Sequence, residues 1–167
     1  LDVLGAVRFL RDSLKIRKPI VICAVSMGSA ASMLAAADSP EIARLILDSS
    51  FLSFRHMIAH HTQLYLGLPA FPLVDEIICF TKWRIGFKDE EFDMRLAIKK
   101  IGDRPILFIA GEKDKRMPPK ISQELYDRSM SRNKKIVVVP DATHGAAFRM
   151  HPEVYVAEVI GFLGKNF

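Results

Sequence analysis

The chain has 167 residues, half of them hydrophobic and 26% charged, with a formal net charge of +5, the profile of a globular domain long enough to bury a core. Two cysteines make no disulfide framework, and no apolar run approaches the ~20 residues of a membrane helix. The basic residues are scattered, densest in "KDKR" (113–116) and "RNKK" (132–135); they read as solvated surface at loops and helix ends, so no nucleic-acid partner is expected.

In chain order, Val3, Val7, Leu10 and Leu14 share one helical stripe in "LDVLGAVRFLRDSL". "PIVICAV" (19–25) is short, apolar and β-branched, the pattern of a strand covered on both faces, with Cys23 a buried thiol inside it. An alanine-rich helix follows, then a second buried strand in "IARLILDSS" (42–50). Residues 51 to about 92 break this rhythm. They hold Phe51, Phe54, Tyr65, Phe71, Phe80, Trp83, Phe87 and Phe92 around "LGLPAFP", and they read as a cap-like insertion of short helices. "EFDMRLAIKKI" predicts a helix that Gly102 can close. "PILFIAG" (105–111) is a third strand, "PPKISQELYDRSM" a helix with prolines at its start, and "KKIVVVP" (134–140) a fourth strand. The last helix places Val156, Val159, Ile160, Leu163 and Phe167 on one face, with His151 at its start. Strands alternating with helices predict an α/β fold, a mostly parallel sheet between two helical layers, over residues 1–167.

Three loops then stand out. Ser26 lies between the first strand and the helix that follows, with small residues, Ala24 and Gly28, two positions to either side. A sharp strand-to-helix turn needs small residues there and lifts the serine above the sheet edge. A serine at a helix start is also an ordinary N-cap. Asp114, in "AGEKD", follows the third strand, and His144, in "PDATHG", follows the fourth. Sites of open parallel sheets lie at the carboxyl ends of the strands, where all three loops emerge. A serine nucleophile needs a base, and the base an orienting acid. Asp48, after the second strand, is an alternative acid, and Asp141 reads as shaping the histidine loop.

"VSMGSA", "LFIAGEKDKRMPP" and "VPDATHG", in this order, resemble the nucleophile, acid and histidine loops of the α/β-hydrolase superfamily. The wording "SMGSAA…LILDSSF…PILFIAGEKD…MP" is most similar to its serine-aminopeptidase-like and prolyl-oligopeptidase-like branch, which also holds many esterases. Ala24 stands where that family usually has glycine. The resemblance implies a serine hydrolase of ester or amide bonds, with Ser26 as nucleophile, His144 as base, Asp114 as acid and the Met27 N–H as one oxyanion donor. The alternatives are a serine peptidase and a non-catalytic binding module of the same fold. The expected partners are a small ester, amide or peptide substrate and an N-terminal part of the same fold. That part would hold the first four strands and the second oxyanion donor, because the chain matches the fold from the helix before its fifth strand. No metal or organic cofactor is implied. In the family the segment after the sixth strand caps the site, so Phe51, Phe54, Tyr65 and Trp83 are expected to wall an apolar pocket. His56, His60 and His61 have helical spacing without an accompanying carboxylate or cysteine, and they read as helix surface or pocket rim rather than metal ligands. Unpaired cysteines point to a reducing compartment, so a cytoplasmic location is expected.

Overall fold

The structure, a computed structural model, describes residues 2–86 and 88–164. Four strands, β1 (Ile20–Val25), β2 (Ile42–Asp48), β3 (Ile106–Gly111) and β4 (Lys134–Val139), pair in parallel in the order β1-β2-β3-β4. The helices are α1 (Asp2–Arg8), α2 (Met27–Asp38), α3 (Phe54–His61), α4 (Leu73–Ile85), α5 (Met94–Lys100), α6 (Pro119–Arg128), α7 (Ala147–Met150) and α8 (Pro152–Leu163).

Each inner strand sends alternate side chains to opposite faces. On one face Leu45, Leu47, Ile106 and Phe108 pack with Met33 of α2, Ile98 of α5 and Leu125 of α6. On the other, Ile46, Leu107, Ile109 and Val139 pack with Tyr155 and Phe162 of α8. These apolar runs therefore feed two cores at once, which makes the three-layer α-β-α arrangement expected of them.

Between β2 and β3 the chain forms α3, a π-helical turn (Thr62–Leu66), α4 and a 3₁₀ turn (Asp89–Phe92), with no strand among the described residues. The base of this insertion is stapled by an antiparallel bridge between Ser53 and Asp93, with Met94 N–H donating to the Leu52 carbonyl at 2.7 Å. Asp93 also caps α5, accepting from Arg95 N–H.

Three expectations about burial are corrected. The first stripe stops short: Val7 is buried and Val3 and Leu10 pack on the core, but Leu14 is exposed. A π-helical turn over Phe9–Ser13 advances less per residue than an α-helix and carries Leu14 off the stripe. In α8 the inward face is Tyr155, Val159, Phe162 and Leu163, while Val156 and Ile160 face outward; Phe167 lies outside the described residues, as does Phe87. Cys23 is exposed rather than buried. Among the described residues β1 pairs only with β2, so it forms the sheet edge and its outer side is uncovered.

Parallel strands end together. Ser26, Ser49, Asp114 and His144 all lie just beyond the carboxyl ends of β1 to β4, on one edge of the sheet.

Candidate active site

Ser26 sits on the turn between β1 and α2 with φ 55° and ψ −116°, a conformation that L-residues rarely adopt. Such strain persists only where the surroundings impose it. Here Ser26 N–H donates to the Asp48 carbonyl at 2.8 Å, and its own carbonyl takes the first helical bonds of α2, from Ser29 and Ala30. The Ser26 side chain makes no capping bond to the helix. Its Oγ lies instead 2.8 Å from His144 Nε2. A Cβ on Gly28 would meet the Ala24 Cβ at 3.6 Å, an ordinary contact, so alanine at position 24 fits this turn.

His144 Nδ1 lies 2.8 Å from Asp114 Oδ2. The other oxygen of Asp114 accepts from the N–H groups of Arg116 and Met117 at 2.9 and 2.8 Å, so this carboxylate, 2% exposed, is fixed by its own loop. Two glycines let the histidine loop come so close. A Cβ on Gly111 would collide with the Ala142 carbonyl. Gly145, at φ +61°, packs against Val25, the residue before Ser26. The three side chains thus form one hydrogen-bonded line in which a proton on Ser26 Oγ has a path to an imidazole held by a carboxylate. Met27 is the first residue of α2 and precedes Ser29 and Ala30, whose N–H groups make the first bonds to the Ser26 carbonyl, so its own N–H belongs to the helix start, where backbone donors have no partner within the helix.

Asp48 does not reach His144 by a hydrogen bond. It is 2% exposed, and burial above all holds its carboxyl above the usual aspartate range, against the bond from Ser49 and the charge of His144. Asp141 pairs with Lys113 on the surface, which lowers its pKa, and takes φ 56° at the head of the histidine loop.

A cavity of about 620 Å³ opens beside Ser26. Phe51 and Phe54 line it, with Ala30, Ala31 and Leu34 of α2 and Met57 of α3. Tyr65 and Trp83 do not. Trp83 is 78% exposed, tilted against Phe80 on the outer side of α4, and Tyr65 meets the His61 ring edge to face. The inner side of α4 presents Thr81 and Ile85 to the cavity instead. His61 also lines it, in line with the pocket-rim reading of the histidines, and so does Arg116, which the sequence reading did not single out for the site; the small residues of α2 that leave it open were visible as an alanine run. Burial lowers the pKa of His56 and His61, and His60 bonds the Lys115 carbonyl. No group of three metal-ligating side chains occurs among the described residues. No helix among them is long and apolar enough to cross a membrane. His151 stands at the N-cap of α8, as expected.

No known family model matches the sequence. The chain is 32% identical over 148 residues to the protein bem46 of Schizosaccharomyces pombe, covering 88% of this chain and 44% of that protein. It is 27% identical over 166 residues to the uncharacterized protein YqkD of Bacillus subtilis, covering 97% of this chain and 53% of that one. Among solved structures it superposes on the Pyrococcus furiosus esterase Pf2001 with a TM-score of 0.74 at 22% identity, covering 98% of this chain and 60% of the esterase. The chain spans about half the length of the curated relatives it matches.

Proposed function

We propose, from the α/β-hydrolase fold that this chain has, that it carries the nucleophile, base and acid of a serine hydrolase acting on carboxylic esters. The observation that carries this reading is the line from Ser26 Oγ through His144 to Asp114, with both contacts at 2.8 Å. Ser26 Oγ attacks the carbonyl carbon as its proton passes to His144 Nε2. Asp114, hydrogen-bonded at Nδ1, holds the imidazole in the tautomer that can accept this proton and stabilises the cation that results. The carbonyl oxygen takes up the negative charge, facing the Met27 N–H. When the tetrahedral intermediate collapses, His144 returns the proton to the departing alkoxide. Water, deprotonated by the same imidazole, then releases the acid and regenerates Ser26.

The apolar lining of the cavity beside Ser26 favours an apolar acyl group over a charged one. The same reading takes the second oxyanion donor from a part of the fold outside this chain, beside the uncovered edge of β1. A missing donor costs about 10²–10³ in rate, so the 167 residues alone are expected to be far weaker catalysts than the complete protein. A fluorophosphonate probe on the complete protein tests the assignment. Labelling should fall on Ser26 and vanish in Ser26→Ala together with hydrolysis of p-nitrophenyl butyrate; full esterase activity in Ser26→Ala would overturn it.

A further inference from the structure

The line from Ser26 to Asp114 is held together at the tips of three separate strands. Its contact between Ser26 and His144 spans 118 positions of sequence. Beyond that contact, a small link at the tip of β2 joins the loop after β1 to the loop after β4.

Asp48, the last residue of β2, accepts Ser26 N–H at its backbone carbonyl, at 2.8 Å. The same carbonyl lies 2.9 Å from Ser29 Oγ, a hydroxyl fully buried and shared with the Ala24 carbonyl at 2.8 Å. The backbone on both sides of the nucleophile is thus tied to Asp48. The next residue, Ser49, is 1% exposed and turns into the left-handed region at φ 51°. Its N–H donates to the Ile109 carbonyl of β3 at 3.0 Å. Its hydroxyl uses both of its capacities, donating to Asp48 Oδ1 at 2.9 Å and accepting Gly145 N–H at 3.1 Å. Gly145 is the residue after His144. A serine forced into a strained conformation, buried from competing water and bonded on both sides, is the pattern of a group kept for its geometry.

We propose that Ser49, anchored by Asp48, is a positioning residue that fixes the separation of Ser26 and His144. The inference rests on the hydrolase reading of those two side chains. Ser49 touches neither of them and takes no part in proton transfer. It acts by holding the peptide that carries the imidazole against the peptide that carries the nucleophile. Displacing a reacting group by as little as 1 Å can cost about 10²-fold in rate.

The test uses the complete protein with Ser49→Ala and Ser49→Gly, read as kcat and KM for p-nitrophenyl butyrate per site titrated with a fluorophosphonate, beside the melting temperature. Ser49→Gly keeps the fold accessible even if Ser49→Ala does not, because glycine adopts φ 51° without strain. The expected result is a fall in kcat per titrated site of about 10- to 100-fold. KM should stay within about twofold, as for a contact made in the transition state and not in substrate binding. A merely structural serine would lower the melting temperature and leave kcat per titrated site unchanged, and that outcome overturns the inference while Ser26 still titrates. A wild-type protein whose Ser26 is not labelled overturns the hydrolase reading, and the inference with it.

Discussion

The residues proposed to carry the chemistry are single side chains at the sheet edge, and they differ in how visible they are in the sequence. Ser26, Asp114 and His144 each stand directly behind a run of apolar, β-branched residues, so their common edge follows from strand order alone. Ser49 has no such marker, since one serine in "LDSS" looks like any other until its hydroxyl is seen between Asp48 and Gly145. Asp48 itself yields a measurable consequence. Its carboxyl is held above the ordinary aspartate value of 3.8, chiefly by burial. The folded state therefore binds this proton more tightly than the unfolded chain, and Asp48 makes stability fall as pH rises from about 3.8 to its raised folded value. Asp93, lowered by its bonds to Arg95, acts with the opposite sign and below 3.8, where protonation removes the stability it contributes. Denaturant titrations over pH 4–7 should show a shallower decline in Asp48→Asn than in the wild type. Equal slopes would mean that Asp48 ionises as freely in the fold as in solution.

At the scale of elements, the helices and strands were legible from periodicity, while their inward faces were not always so. Leu45, Ile46 and Leu47 of β2 and Ile106 to Ile109 of β3 are unbroken apolar runs because each strand feeds both cores. In α8 nearly every position is apolar, so periodicity could not choose between faces; Tyr155 and Phe162 point inward, while Val156 and Ile160 do not. The insertion hides its orientation for the same reason. Aromatic content marked it as a wall, but only Phe51 and Phe54 of the four expected residues reach the cavity. This division predicts different kinetics for the two sides of the cap. Phe54→Ala in the complete protein should raise KM for longer p-nitrophenyl acyl esters by about tenfold, the scale of one to two lost apolar contacts. Trp83→Ala, at a site 78% exposed, should leave KM flat across the series. A KM that rises with acyl length in Trp83→Ala would place the tryptophan at the substrate after all.

For the whole molecule, the feature with the widest reach is the uncovered side of β1. Its run has the apolar pattern of a covered strand, yet among the described residues it is an edge, with Cys23 and Val25 exposed. An apolar edge strand with free backbone groups is a template for another strand. The 167-residue chain on its own should therefore associate in a concentration-dependent way that light scattering can follow, and a charge on the edge, as in Cys23→Lys, should suppress it. Association that is equally fast with the lysine present would locate the adhesive surface elsewhere. The staple between Ser53 and Asp93 has a different kind of consequence. It closes the insertion into a loop whose two ends lie side by side, one just after β2 and the other at the start of α5. Closing a longer loop costs little more than closing a shorter one. Everything between those two residues can thus be lengthened, shortened or exchanged like a cassette, and the cavity wall it supplies can change while Ser26, Asp114 and His144 stay where they are.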